Sequence, residues 1–234
     1  MYGDTPLSPW HILCDFDNTI TLEDVTDGIL QRFAPAQWTE IEYAWQIGQI
    51  GSKECLFRQI ALVRATHHEL DAYLDQVGVD PAFSFFVKRC QALGISLEII
   101  SDGLDYVIRR ILARHDLGHI PFCANQLLFL GYKRYAVGFP HADPHCTKAA
   151  GVCKCAVEQR KPQQMLLLIG DGTSDCCLAG KVDFVLAKDR LLEYCQDHGL
   201  PHWPCPDFQH AGPMLEQLLN TKGLLPNRYY QRKC

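Results

Sequence analysis

The sequence predicts an α/β protein: an open parallel sheet flanked by helices, with a small helical insertion after the first strand. Three observations carry that expectation. Short apolar runs of strand length, Ile12–Cys14, Ile95–Ile100, Met165–Ile169 and Phe184–Ala187, alternate with segments of helical periodicity. After Thr21, strand character disappears for about sixty residues and only helical spacing remains. Polar clusters follow three of the apolar runs: Asp15 with Asp17, Ser101, and Asp171 with Asp175. Ligands of open α/β sheets bind at the carboxyl ends of the strands, so these clusters can share one crevice. The expected division is a core of residues 1–21 and 82–234 and a helical cap of residues 22–81.

In chain order, Ile12-Leu-Cys14 is short and apolar enough for a buried strand. Val25, Ile29 and Phe33 recur at helical spacing, as do Leu56, Ile60 and Val63, then Leu70, Leu74 and Val77. Pro35, Gly48, Gly51 and Gly78-Val-Asp-Pro81 punctuate them. Phe86, Cys90 and Leu93 form the face of a further helix ended by Gly94. The strand Ile95–Ile100 closes at Ser101-Asp-Gly103, and Val107, Ile108, Ile111 and Leu112 mark the returning helix. Two apolar runs around Gly131-Tyr-Lys133 read as a β-hairpin over Gln126–Phe139. His141–Cys155 is polar and irregular; Met165–Ile169 is the most apolar run and a central strand. A short helix to Gly180, the strand Phe184–Ala187 and a helix Arg190–His198 continue the alternation. Pro201–Pro206 reads as a rigid extended loop, Met214–Leu219 as a final helix, and the tail from Lys222 as frayed.

The chain has 234 residues, 47% of them hydrophobic and 21% charged, which suits one α/β domain with an insertion. A net charge of −5 argues against non-specific nucleic-acid binding. No apolar stretch approaches a membrane span, and no basic-then-apolar leader opens the chain, so a cytoplasmic protein without a membrane partner is expected. Composition leaves the oligomeric state open. Most of the twelve cysteines are expected to be reduced core residues, such as Cys14, Cys55 and Cys90 in apolar stretches; Cys146, Cys153 and Cys155 are the exceptions.

The chemistry starts at Asp15-Phe-Asp17-Asn-Thr19. Two carboxylates one residue apart resist joint ionisation, and a divalent cation removes that penalty; oxygen ligands of this kind suit Mg²⁺. The plainer alternative is a strand-end turn with solvated acids. An EF-hand is a weaker rival, since its loop glycine would fall on Ile20 and its closing glutamate on Thr26.

The stretch resembles the first motif, DxDxT, of the haloacid dehalogenase (HAD) superfamily of phosphoryl-transfer enzymes. With Ser101 and Gly170-Asp171-Gly-Thr-Ser-Asp175, the order and placement match its first, second and fourth motifs. The resemblance implies a Rossmann-like core and an aspartyl-phosphate mechanism. Asp15 would attack phosphorus, and Asp17 would protonate the leaving oxygen and then deprotonate water. Mg²⁺ would be held by the carboxylates of Asp15 and Asp171 and the backbone carbonyl of Asp17. Thr19 would brace the loop. Ser101 and the Gly103 backbone would donate to phosphoryl oxygens, unless Ser101-Asp-Gly is a plain turn. Asp175 would orient a water or a lysine. The phosphate-neutralising lysine has four candidates, Lys133, Lys148, Lys154 and Lys161; Lys154 has the usual placement, and Lys148 comes second.

A helical insertion directly after the first motif is the small cap of phosphoserine phosphatase-like members. Within them the chain looks most like the methionine-salvage phosphatases that act on 2-hydroxy-3-keto-5-methylthiopentenyl-1-phosphate. The carrying pieces are DFDNTIT followed by Asp24, FAPAQW at Phe33–Trp38, FPH at Phe139–His141, Lys154, IGDGTSD, AKDRLLEYC and the late PDF. Asp24 would face the substrate or gate the cap, against the alternative of a first-turn acid favoured by the helix dipole. Arg58 would meet the substrate's distal end, against that of a solvated helix residue. A Glu stands at the place of Asp24 in phosphoserine phosphatases, and Gln59 stands opposite their substrate-binding Arg; both departures weigh against phosphoserine. His141, His145, Cys146, Cys153 and Cys155 have donor types that can build a structural Zn²⁺ site, the alternative being a reduced, loosely packed loop. The leading expectation is a Mg²⁺-dependent phosphomonoesterase for a small phosphorylated metabolite. Its rivals are a phosphoserine or phosphoethanolamine phosphatase and a non-catalytic zinc-stabilised binding module.

Overall fold

The structure, a computed structural model, describes residues 10–158 and 164–221. The candidate Lys161 and the tail from Lys222 lie outside the described residues. In chain order the elements are β1 (Trp10–Cys14), α1 (Val25–Phe33), α2 (Trp38–Gln46), α3 (Ser52–Ile60), α4 (His67–Leu74), α5 (Phe83–Ala92), β2 (Ser96–Leu104), α6 (Asp105–Arg114), β3 (Phe122–Phe129), β4 (Tyr135–Gly138), α7 (Lys154–Glu158), β5 (Met165–Gly170), α8 (Cys176–Ala179), β6 (Phe184–Ala187), α9 (Asp189–Asp197), β7 (His202–Pro204) and α10 (Phe208–Asn220). The strands form one seven-stranded sheet in the order β4-β3-β2-β1-β5-β6-β7. β1 pairs in parallel with β2 and β5, β6 with β5 and β7, and only the β3–β4 hairpin is antiparallel among the registered pairs.

The chain divides into two compact units. The first comprises Met1–Asp15, Val79–Ile99 and Lys154–Cys234, and the second Phe16–Gly78 and Ile100–Cys153. In the first unit β1 is buried at every residue, His11 included, and all but one residue of β5 is buried, as expected of largely apolar strands covered on both faces. Phe83 and Phe86 of α5 close this core against Phe208 of α10, with ring centroids 4.7 and 5.2 Å apart. In the second unit two helices begin on side-chain caps. Asp24 caps α1 by accepting from the Asp27 N–H (2.9 Å), and Thr66 and Glu69 form a reciprocal capping box on α4.

Three expectations change. Ser101-Asp-Gly103 does not close the strand: β2 runs on to Leu104, because Ser101, Gly103 and Leu104 are buried and continue its inward pattern. The extended loop Pro201–Pro206 contains β7, an edge strand; the edge is where a sheet tolerates proline, which has no N–H for a second neighbour. The final helix begins six residues earlier than Met214, at Phe208, where Asp207 caps it by accepting from the His210 N–H, and it carries Pro213 inside. The hairpin stands as expected, with β3 starting at Phe122.

Candidate active site

In the first unit, β1 and β5 deliver carboxylates side by side. Cys14 pairs with Ile169, and the Asp15 N–H donates to the Ile169 carbonyl (2.9 Å), so Asp15 leaves β1 level with the end of β5. Side-chain oxygens of Asp15, Asp171 and Asp175 lie within 4.8 Å of one another, the one such group of potential metal ligands among the described residues. Lys154, at the start of α7, reaches into this group. Its ammonium is 3.0 Å from Asp15 Oδ1 and 2.7 Å from Asp175 Oδ1, and the residue is 2% exposed. Gly170 is required here: a Cβ would fall 2.5 Å from Asp175 Oδ2. Asp175 also accepts from the Gly172 N–H (3.3 Å).

The electrostatics follow from burial. Desolvation, reinforced by Asp175 and opposed by Lys154, pushes the Asp15 carboxyl well above the usual carboxylate range. Burial acts to lower the Lys154 pKa, but the Asp15 and Asp175 carboxylates more than reverse it, so the lysine stays charged. One ammonium against a cluster of three aspartate side chains leaves the charge balance open to a further cation. The donor set is all oxygen and therefore fits Mg²⁺.

The second unit holds the remaining motif residues. After Asp15 the chain turns on the Phe16 carbonyl, which accepts from the Ile20 and Thr21 N–H groups (2.8 and 3.1 Å), with Asn18 at φ 52°. The Thr21 hydroxyl lies within hydrogen-bond reach of the Phe16 and Glu23 carbonyls (3.2 and 2.8 Å). Thr19 is buried and gives its N–H to the same Phe16 carbonyl (3.3 Å), so Thr21 is a brace that the motif alone did not reveal. Asp17 Oδ1 accepts from the Val25 N–H (3.0 Å) at the start of α1, where the helix dipole favours its charge. Ser101 is 1% exposed, and its Oγ accepts from the Gly103 N–H (2.9 Å). A Cβ on Gly103 would fall 2.7 Å from Asp17 Oδ2 and 3.0 Å from Ser101 Oγ, so the glycine lets the two groups stand together.

Sequence reasoning passed over Asp102. Its side chain receives the Ser52 hydroxyl at the start of α3, the Asn125 amide of β3 (3.1 Å to Oδ1) and the Val152 N–H (2.9 Å to Oδ1). Its backbone carbonyl takes the Asn125 amide at 2.6 Å. Gly151 has no room for a Cβ beside Asn125 and Asp102. Only a three-dimensional structure joins these partners, which lie up to 50 residues away.

The other candidates are placed as follows. Asp24 is the α1 cap, and burial raises its pKa. Arg58 is exposed and paired with Glu54 on the same helix. Gln59 is buried and donates to Glu42 (3.0 Å). Lys133 pairs with Glu69 (3.2 Å) and Lys148 is exposed, so of the described lysine candidates Lys154 alone joins Asp15. The zinc expectation is corrected. His141, His145, Cys146, Cys153 and Cys155 supply no three ligand atoms close enough to share an ion among the described residues. The link between two of them is a backbone hydrogen bond, from Cys153 N–H to the His141 carbonyl (3.2 Å), because this loop satisfies itself through its main chain.

A buried carboxylate at a strand end, a lysine held against it and two further aspartates beside them form the kind of site that phosphoryl transfer uses. The haloacid dehalogenase-like hydrolase family matches residues 12–180, and the chain belongs to it. A 2-hydroxy-3-keto-5-methylthiopentenyl-1-phosphate phosphatase of Brevibacillus brevis is 30% identical over 88% of this chain and 95% of its own. The protein of the same name from Bacillus velezensis is 30% identical over 96% of this chain and 95% of its own. A phosphoserine phosphatase structure from T. onnurineus superposes with a TM-score of 0.68 at 16% identity, covering 92% of this chain and 98% of that one. The chain is a phosphatase of this family, and the solved structures share its fold.

Proposed function

We propose that this phosphatase hydrolyses 2-hydroxy-3-keto-5-methylthiopentenyl-1-phosphate through a phosphorylated Asp15. The carrying observation is the name shared by relatives that are 30% identical along nearly their whole length. In this reading Asp15 attacks phosphorus, replacing one difficult displacement with two easier ones. Lys154, held between Asp15 and Asp175, offsets charge on the phosphoryl oxygens. Asp17 gives a proton to the leaving oxygen and takes one from the hydrolytic water. The Ser101 hydroxyl binds a phosphoryl oxygen, and residues 22–81 act as the cap that selects the leaving group. Asp15 and Asp171, with the Asp17 carbonyl, would hold Mg²⁺, which supplies charge neutralisation between an anionic nucleophile and an anionic substrate.

The test compares kcat/KM for the methylthio enol phosphate, phosphoserine and p-nitrophenyl phosphate, with EDTA and with Mg²⁺ restored. The enol phosphate is expected to lead, and EDTA to remove all three activities reversibly. Phosphoserine leading by about tenfold, or 1.4 kcal/mol, would overturn the substrate but leave the chemistry standing. Full activity in EDTA would overturn the metal assignment.

A further inference from the structure

Two thiols of the first unit flank the charged pair that holds Lys154 in place, and the mechanism uses neither. Cys155 follows Lys154 on α7, and Cys177 lies two residues beyond Asp175 on α8. The two short helices pack on one another, and the Cys155 and Cys177 thiols are hydrogen-bonded to each other. The Cys177 thiol also lies within reach of the Ser174 carbonyl (3.9 Å). Its neighbour Cys176 instead meets the Gly172 carbonyl (3.8 Å). Both Cys155 and Cys177 are partly exposed, unlike the fully buried Cys14 and Cys195.

We propose that Cys155 and Cys177 form a reversible disulfide that disables the Lys154–Asp175 pair. The oxidant is a small disulfide of the glutathione class. The Cys155 thiolate attacks its S–S bond, forming a protein mixed disulfide and releasing one reduced thiol, since the hydrogen bond to Cys155 and burial hold the Cys177 thiol protonated until then. The second cysteine thiolate then attacks the protein-bound sulfur and releases the other. Two protein thiols are oxidised, one small disulfide is reduced to two thiols, and the two protons pass to those thiols. Hydrogen-bonded sulfurs must close to about 2 Å to become a disulfide, with the Cβ atoms at their own fixed separation. α7 and α8 therefore have to shift against each other. Lys154 on α7 and Asp175 at the start of α8 are carried by the same two helices, so such a shift reaches their 2.7 Å contact and the 3.0 Å contact of the ammonium with Asp15. A misplacement of about 1 Å at such a group costs up to a hundredfold in rate.

The test treats the purified whole protein with oxidised glutathione and maps disulfides by tandem mass spectrometry of a digest. Rate on p-nitrophenyl phosphate is followed before treatment, after it, and after dithiothreitol. A Cys155–Cys177 cross-link is expected, with at least a tenfold fall in kcat/KM that dithiothreitol reverses. Cys155→Ser and Cys177→Ser should keep the starting rate and lose the sensitivity, while Cys176→Ser should keep both. No cross-link at this pair, a cross-link without change in rate, or equal sensitivity in both serine variants would each overturn the proposal. The mapping needs no turnover, so an error in the substrate assignment leaves it decisive.

Discussion

Carboxylates cluster in both units, and the two clusters are handled in opposite ways. In the first unit Asp15 and Asp175 close on the buried Lys154 ammonium, with Asp171 beside them. In the second unit Asp24 and Asp27 at the start of α1 feel the charge of Glu42 on α2, and the hydrogen-bond partners of Asp24 and Glu42 among the described residues are neutral groups. Glu42 meets the Gln59 amide (3.0 Å) and the Cys55 thiol (3.7 Å), and Asp24 meets a backbone N–H. The consequence is visible in the protons. Burial, with Asp24 and Glu42 nearby, lifts Asp27 to about 7, and burial first, then Glu42, pushes the Cys55 thiol up to about 12. Burial raises the pKa of carboxyls in both clusters, Asp15 in the first and Asp24 and Asp27 in the second, but only the first sets a charged lysine against its acids. A carboxylate group therefore reads as a phosphoryl-transfer site only when its counter-charge is built in.

The sharpest way to break that contrast is to remove charge from the first cluster. Asp15→Asn keeps the shape and leaves Lys154 its bond to Asp175, so the fold should survive while turnover of p-nitrophenyl phosphate falls by at least about a thousandfold. Retention of a tenth of the wild-type rate would show that Asp15 is not the nucleophile. Lys154→Met takes the cation instead and leaves buried carboxylates facing each other. Removing one partner from a buried pair costs about 3–5 kcal/mol, so the urea midpoint should drop sharply and the rate by about a hundredfold. An unchanged midpoint would place the ammonium in water rather than between Asp15 and Asp175.

Asp102 tests the same idea where only neutral donors are involved. Asp102→Ala strands the Ser52 hydroxyl, the Asn125 amide and the Val152 N–H, two residues before Lys154 in the chain. The expected cost is about 1–3 kcal/mol for the orphaned groups and a tenfold fall in kcat with little change in KM. Asp102→Asn, which keeps an acceptor at Oδ1, should recover most of the rate. A variant with normal kcat would limit Asp102 to stability.

How far these contrasts were legible beforehand depends on contiguity. Asp15, Asp17, Asp171 and Asp175 sit in unbroken motifs after apolar strands, so pattern alone singles them out, and the structure brings the side chains of Asp15, Asp171 and Asp175 together. Lys154 could be favoured over Lys133 and Lys148 only by its placement, and the structure separates them by burial and by its contact with Asp15. Asp102 was hidden because its partners are distant in sequence. The His and Cys residues of 141–155 misled for the complementary reason. Ligand types close in sequence need not be close in space, and in that loop backbone hydrogen bonds set the path. In β7 the prolines masked a strand that exists only because β6 offers it an edge.

The smallest effect is the one that probes the second cluster directly. Asp27 is half-buried on the first turn of α1, near Asp24 and Glu42. Folded, its carboxyl holds a proton up to about pH 7; unfolded, it releases that proton near its ordinary value of 3.8. Between those values the folded state binds more protons, so stability falls as pH rises, and the deficit is complete above pH 7. The wild type is thus expected to lose part of its Tm between pH 4 and pH 8 on account of this residue. Asp27→Asn cannot ionise and should match the wild type at pH 4, then exceed it by about 1–3 °C at pH 8, a gain kept small by solvent screening at a half-exposed site. Glu42→Gln should give a weaker rise in the same direction, because it removes one of the two charges that oppose Asp27 ionisation. A Tm difference that is the same at both pH values would mean that Asp27 is ionised throughout. The second cluster would then carry its charge without a cation, and the contrast with Lys154 would fail.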